Sequence, residues 1–97
     1  MSNKSYGLVK ERKEKEWLEK LGFTANRNRG SFGGFDLVAC NKEYFLLESI
    51  KATKRDKYSF KKEIEEIKNF DNAPSGTHCK LILYHKGQRK VLFEKVL

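Results

Sequence analysis

Asp36 and Lys51 stand fifteen residues apart in the segment GGFDLVACNKEYFLLESIKATK. An aspartate at the end of one strand, beside a lysine at the end of its neighbour and with further carboxylates nearby, suits metal-assisted phosphodiester hydrolysis. The acids hold a divalent cation that polarises the phosphate and activates a water, and the ammonium orients that water and offsets developing charge. Taken alone, such a pair is a weak motif, because the spacing arises by chance in most chains. Further carboxylates come from the first helix. On a wheel of about 100° per residue, Trp17, Leu18 and Leu21 define an inward arc with Leu8 at its margin. Glu11 and Glu14 fall inside that arc, and Glu16 and Glu19 outside it. A carboxylate on a buried stripe is costly unless a cation, a metal or a hydrogen-bond donor meets it. For Glu14, the expectation is that the side chain reaches out to solvent at the stripe's edge.

The elements that must position these groups follow from pattern and turn chemistry. The sequence predicts a helix from Tyr6 to Leu21, capped by Gly22. A short strand, Phe23 to Arg27, and a Gly-rich loop, Asn28 to Gly34, come next. Phe35 to Cys40 and Glu43 to Ala52 form a hairpin about Asn41-Lys42. Alternation puts Phe45, Leu47, Ser49 and Lys51 on one face of the second strand, and Tyr44, Leu46, Glu48 and Ile50 on the other. Phe60 to Phe70 reads as a helix, with Phe60, Ile64 and Ile67 at helical spacing. After the turn cluster DNAPSG, strands Cys79 to His85 and Lys90 to Val96 flank a turn at Lys86-Gly87-Gln88. The order is α-β-β-β-α-β-β, an α/β single domain over residues 1–97 with helices on a mixed central sheet.

Composition narrows the partners. The 97 residues carry 21 Lys and Arg against 13 Asp and Glu, for a net charge of +8. Nine basic and four acidic side chains lie within residues 24–62, so positive charge gathers about the hairpin and its preceding loop. That clustering suits a polyanion, nucleic acid first. No apolar run is long enough to span a membrane and no targeting stretch is evident, so a cytoplasmic protein is expected. Cys40 and Cys79 read as two buried thiols. His78 and His85 lie in no metal-ligand spacing, and no Ser-His-Asp or Cys-His motif is present. An RNA-binding α/β domain would need an aromatic strand or a GXXG clamp, and GSFGG is a poor match.

Three stretches, KERKEKEWLEKLGF, NRNRGSFGGFDLVA and YFLLESIKATK, resemble the archaeal Holliday junction resolvases of the PD-(D/E)xK nuclease superfamily. The likeness covers roughly residues 4–70. The family's helix glutamate stands twelve residues before the Phe of a Gly-Phe pair, which here is Glu11 before Phe23. An Arg and a Gly-Ser pair precede the catalytic Asp, matching Arg27, Gly30-Ser31 and Asp36, with the loop after Ser31 one residue longer. The family lysine, fifteen residues after the Asp, is Lys51. The resemblance implies a restriction-endonuclease-like fold, a Mg²⁺-dependent endonuclease (Mn²⁺ as a substitute) acting on branched or duplex DNA, and a homodimer. For the dimer contact, Phe32, Val91, Phe93 and Val96 are the candidates.

The implied site comprises Glu11, Ser31, Asp36, Glu48 and Lys51, with Asp36 and Glu48 as metal ligands. Arg27, Arg29, Lys54, Arg55 and Lys57 would hold phosphates, selecting DNA by backbone and shape rather than base sequence. Tyr58 is the one candidate stacking aromatic in the basic segments. One departure bears on catalysis. The family writes E-x-K, and the residue two before Lys51 is Ser49. Three readings follow. A β-bulge near Ile50 swings Glu48 into the site. Alternatively, Ser49 or a water completes a weaker site built from Asp36, Glu11 and the Ile50 carbonyl. In the third, catalysis is lost and a DNA-binding module that keeps the nuclease fold remains.

Overall fold

A computed structural model describes residues 3–30 and 32–97, with side chains from residue 9 onward. Leu8 and Ser31 therefore lie outside the described side chains. The elements run α1 (Asn3–Lys20), β1 (Thr24–Arg27), β2 (Leu37–Cys40), β3 (Phe45–Thr53), α2 (Lys61–Asn69), β4 (His78–His85) and β5 (Gln88–Val96). They match the expected order, and the five strands form one sheet in the sequence β1-β2-β3-β4-β5. All neighbours are antiparallel except β3 and β4, which run parallel and are joined by the α2 crossover.

The two helices cover opposite faces. Under α1, Leu18 packs with Phe23, Ala25, Leu37, Leu46, Ile50, Ile82 and Tyr84. Under α2, Ile67 packs with Phe35, Leu47, Cys79 and Leu81. β3 serves both layers, so its residues 46 to 50 are all buried. Its alternation is regular, with Leu46 and Ile50 toward α1 and Leu47 toward α2. The one register irregularity near the sheet's centre lies at Leu81/Ile82, between β4 and β5.

Turn chemistry sets the ends of the elements. Gly22, at φ 95°, closes α1. Its N–H donates to the Glu19 carbonyl and the Phe23 N–H to the Leu18 carbonyl, a Schellman motif in which Phe23 also packs on Leu18. Lys86 and Gly87, at φ 51° and 83°, make the tight β4–β5 turn whose positive angles match strand twist. Gln88 already pairs with His85, so β5 starts two residues before its expected position. The β2–β3 connection is longer than Asn41-Lys42. The Asn41 side-chain oxygen accepts from the Glu43 and Tyr44 amides and closes an Asx-type turn.

Three packing expectations are corrected. Trp17 and Leu21, placed inward by the wheel, are 39% and 55% exposed. The buried stripe of α1 is instead rotated onto Glu14 and Leu18, four residues apart. Glu14 does not reach solvent: it is fully buried, because β4 and β5 present donors directly beneath it. Cys79 is buried as expected, whereas Cys40, the last residue of β2, is exposed. Of the apolar groups assigned to a dimer contact, Val91 and Val96 are exposed, while Phe32 and Phe93 pack at the margin of the α2-side core.

Candidate nuclease site

Asp36 sits just before β2, where a side chain organises the loop behind it. The Asn28 amide nitrogen donates to the Phe32 and Phe35 carbonyls at 3.1 and 2.8 Å, and the Asn28 oxygen accepts from the Phe32 N–H at 3.2 Å. The Asn28 N–H also donates to the Asp36 carbonyl. Beyond this staple, the Asp36 N–H donates to the Glu48 carbonyl at 2.9 Å. Asp36 Oδ2 accepts the Ile50 N–H at 2.7 Å. Main chain and side chain of Asp36 are thus fixed to β3, leaving Oδ1 for other partners. Asn28→Ala removes at least the three side-chain bonds above, which net roughly 0.5–1.5 kcal/mol each. We expect a loss of about 1.5–4.5 kcal/mol in denaturant titration, together with slower cleavage, because Asp36 loses the support of its loop.

Glu11 on α1 converges on this aspartate. Burial and the Asp36 charge push the Glu11 carboxyl above its ordinary range, and the two carboxyl groups share a hydrogen bond. The nearby Arg27 and Lys51 charges oppose the shift. One helix carboxyl, one loop carboxylate, one arginine and one lysine therefore meet at the end of the β2–β3 hairpin. A cleft beside them is lined by Glu11, Arg12, Lys15, Arg27 and Leu37. Arg12 and Lys15 were not foreseen as phosphate contacts. Their one available signal is position, immediately after Glu11 and one turn further along the same helix.

Glu48 is not in this group, which corrects its assignment as a metal ligand and catalytic acid. It pairs with Leu37 in unbroken antiparallel register, with no bulge at Ile50, so its side chain points under α1. There Glu14 Oε1 accepts from Tyr84 Oη and Arg89 Nε, both at 2.7 Å, and Glu14 Oε2 from Arg89 Nη2 at 2.8 Å. The Arg89 guanidinium also lies 3.7 Å from the Trp17 ring centroid. Burial would raise Glu14, but hydrogen bonds from Arg89, Glu48 and Tyr84 prevail and hold it below its ordinary value. Glu48, 3.6 Å from Arg89, is pushed up to about 9, first by burial and then by the Glu14 carboxylate. Neither Glu48 oxygen accepts a hydrogen bond. The group is satisfied as a neutral acid that gives its own proton to Glu14.

The remaining candidates divide. Ser31 lies outside the described residues. Arg27 and Arg29 are exposed, the first beside Glu11 and the second in the loop. Lys54, Arg55 and Lys57 are exposed on the segment that leaves β3. The Arg55 carbonyl is held by His85, and Asp56 in the same segment pairs with Lys86. Tyr58 is 37% exposed and packs on Phe60 and His85, 5.8 and 5.2 Å between ring centroids.

The donors present suit a small divalent cation. Glu11 and Asp36 offer hard carboxylate oxygens on convergent sides, where a cation would relieve the repulsion between them. Among the described residues no three His, Cys, Asp or Glu side chains form a ready cage.

A mixed sheet with an aspartate at the end of one strand, a lysine on its partner and a carboxylate from the preceding helix defines the restriction-endonuclease-like domain of PD-(D/E)xK nucleases. The model of the archaeal Holliday junction resolvase family, Hjc, matches residues 2–96, and the chain belongs to that family of DNA junction-cleaving nucleases. Nucleases of this family are generally divalent-metal dependent. The fold resembles that of Hjc, a Holliday junction resolvase from the archaeal hyperthermophile Archaeoglobus fulgidus, with a TM-score of 0.71 and 27% identity over 89% of this chain and 70% of that one. No curated protein matches the sequence. No helix among the described residues is long and apolar enough to cross a membrane.

Proposed function

We propose that this chain is a Mg²⁺-dependent endonuclease that cuts branched DNA as a homodimer inside the cell. The observation that carries the reading is the convergence of Glu11 on Asp36 beside Lys51 and Arg27. When bound, the cation polarises a phosphate and lowers the pKa of a water. Asp36, fixed by the Ile50 amide, and Glu11 hold it. Lys51 orients the attacking water and offsets charge on the phosphate. Arg27, with Arg12 and Lys15 along the cleft, places the DNA backbone, and Arg29, Lys54, Arg55 and Lys57 extend the grip. These are backbone contacts, so the protein selects DNA by shape. A four-way junction presents two strands for paired cuts, which a two-fold dimer matches. The exposed Val91 and Val96 on β5 support a contact there.

Binding tests the electrostatic half of this reading. With several phosphates neutralised, affinity for an immobile four-way junction in Ca²⁺ is expected to drop by roughly 10³ between 50 and 200 mM salt. Arg12→Ala with Arg27→Ala is expected to weaken binding and flatten that dependence, read by fluorescence anisotropy. Binding that ignores salt would refute the assignment. Sedimentation or light scattering with and without junction DNA reads the dimer, and a monomer under both conditions would refute that part.

A further inference from the structure

Ser49 occupies the position where an E-x-K strand carries its second acid, and the structure offers a replacement from a different element. Ser49 is 8% exposed, and its hydroxyl has no hydrogen-bond partner among the described residues. It faces a small, partly open pocket of about 40 Å³ that it shares with Gly34 and Phe35 from the loop before Asp36. The opposite wall is the first two turns of α2, which contribute Glu63 and Glu66. These glutamates are three residues apart and so share one helix face. Ile67, next to Glu66 and four residues from Glu63, is buried against the sheet and fixes the rotation that turns this face to the pocket. The Glu66 carboxylate comes within 3.9 Å of the point a Cβ on Gly34 would occupy, so glycine leaves the wall open on that side. Glu63 is half-buried, and neither glutamate takes part in an ion pair or hydrogen bond among the described residues, unlike Glu65, which pairs with Lys68.

We infer that α2 supplies the acid missing from β3, with Glu63 and Glu66 binding a divalent cation across the Ser49 pocket. The chemistry is coherent. Two carboxylates, a serine hydroxyl and water are the oxygen donors a hard cation takes, and an ion that keeps most of its water needs few protein ligands. Lys51 lies two residues beyond Ser49 in a regular strand, so the cation would sit beside the ammonium assigned to the attacking water. A glutamate at position 49 would fill this same space. A serine there leaves room for the longer reach from the helix.

The inference rests on the nuclease reading, and its test has a readout independent of cleavage. Mn²⁺ binding to the full chain is followed by water-proton relaxation and calorimetry. Wild-type protein is compared with Glu63→Gln/Glu66→Gln, with Glu65→Gln as a control on the same helix, and with the triple variant that adds Ser49→Glu. Circular dichroism confirms that each is folded. The double variant is expected to bind Mn²⁺ at least tenfold more weakly, the Glu65→Gln control to match wild type, and the added Ser49→Glu to restore affinity. Unchanged Mn²⁺ affinity in the folded double variant overturns the inference, as does equal loss in the Glu65→Gln control. Cleavage assays on the same proteins separate the two ideas. Wild type that binds Mn²⁺ through Glu63 and Glu66 yet cuts no junction refutes the nuclease reading and leaves the cation site standing. Wild type that cuts junctions, with a double variant that binds Mn²⁺ and cuts equally well, refutes the cation site and leaves the nuclease.

Discussion

Asp36→Asn protein is expected to bind junction DNA with near-wild-type affinity and to cut it at least 10³-fold more slowly, a loss of roughly 4 kcal/mol of transition-state stabilisation. The substitution keeps the side chain's size and its acceptor for the Ile50 amide, so the loop stays in place. What it removes is the negative charge that, with Glu11, attracts the cation. Lys51→Ala is expected to give a comparable loss, because the ammonium acts on the water and phosphate rather than on the fold. Glu48→Gln is the contrasting case. Glu48 faces away from Asp36, beneath α1, so its substitution is expected to leave cleavage within a few-fold of wild type. A radiolabelled junction in Mg²⁺, under single-turnover conditions, distinguishes these outcomes. Full activity of Asp36→Asn, or inactivity of folded Glu48→Gln, would remove this site from consideration.

The second large effect is on stability and reverses the usual alkaline tolerance of an acidic side chain. Glu48 has a folded pKa of about 9, well above the ordinary carboxyl range. The unfolded chain releases this proton near pH 4.5, while the folded protein keeps it. The contribution is therefore complete below about pH 4.5 and is lost as the pH rises toward 9, at up to about 1.4 kcal/mol per pH unit. Glu14 has the opposite sign: held below its ordinary value, it stabilises the fold above that value and its contribution falls on acidification. Thermal melts are expected to peak in the mildly acidic range and to decline from pH 6 to 9. Glu48→Gln supplies a permanent donor to Glu14 and should flatten that decline, so the variant outlasts wild type at pH 8.5. Glu14→Ala strands Arg89 and should cost roughly 3–5 kcal/mol, much of what a domain this size has. A wild-type Tm that does not fall between pH 6 and 9 would contradict the neutral Glu48.

Much of this arrangement was legible in the sequence, and the failures have physical causes. The order of elements followed from turn residues such as Gly22 and the Lys86-Gly87 pair, and from alternation in β3. That alternation put Glu48 on the face opposite Ser49 and Lys51, where the structure has it. The bulge that would have returned it to the site does not form, because buried residues pin β3 on both faces. Glu11 was readable because a carboxylate on an inward arc needs a partner. The wheel put Glu14 inward too, where it is, but the expectation that it reaches solvent failed, since its partners Tyr84 and Arg89 lie 70 and 75 residues away and no local pattern announces them. Trp17 was taken for core because of its size, yet it stays at the margin and covers Arg89. Asn28, which staples the loop before Asp36, was hidden among residues that any Gly-rich loop would carry.

The grip of Arg89 on Glu14 carries a consequence for the order in which the enzyme comes into being. Glu11 rides on a helix whose rotation is set in part by a side chain from the β4–β5 hairpin, which follows β1, β2 and β3 in the chain. While that hairpin is still unmade, α1 has a buried-type carboxylate with no counter-charge beneath it, and only the packing of Leu18 on the first three strands aims Glu11 at Asp36. On the proposed assignment, the site is expected to be fully aligned only when the far end of the sheet closes.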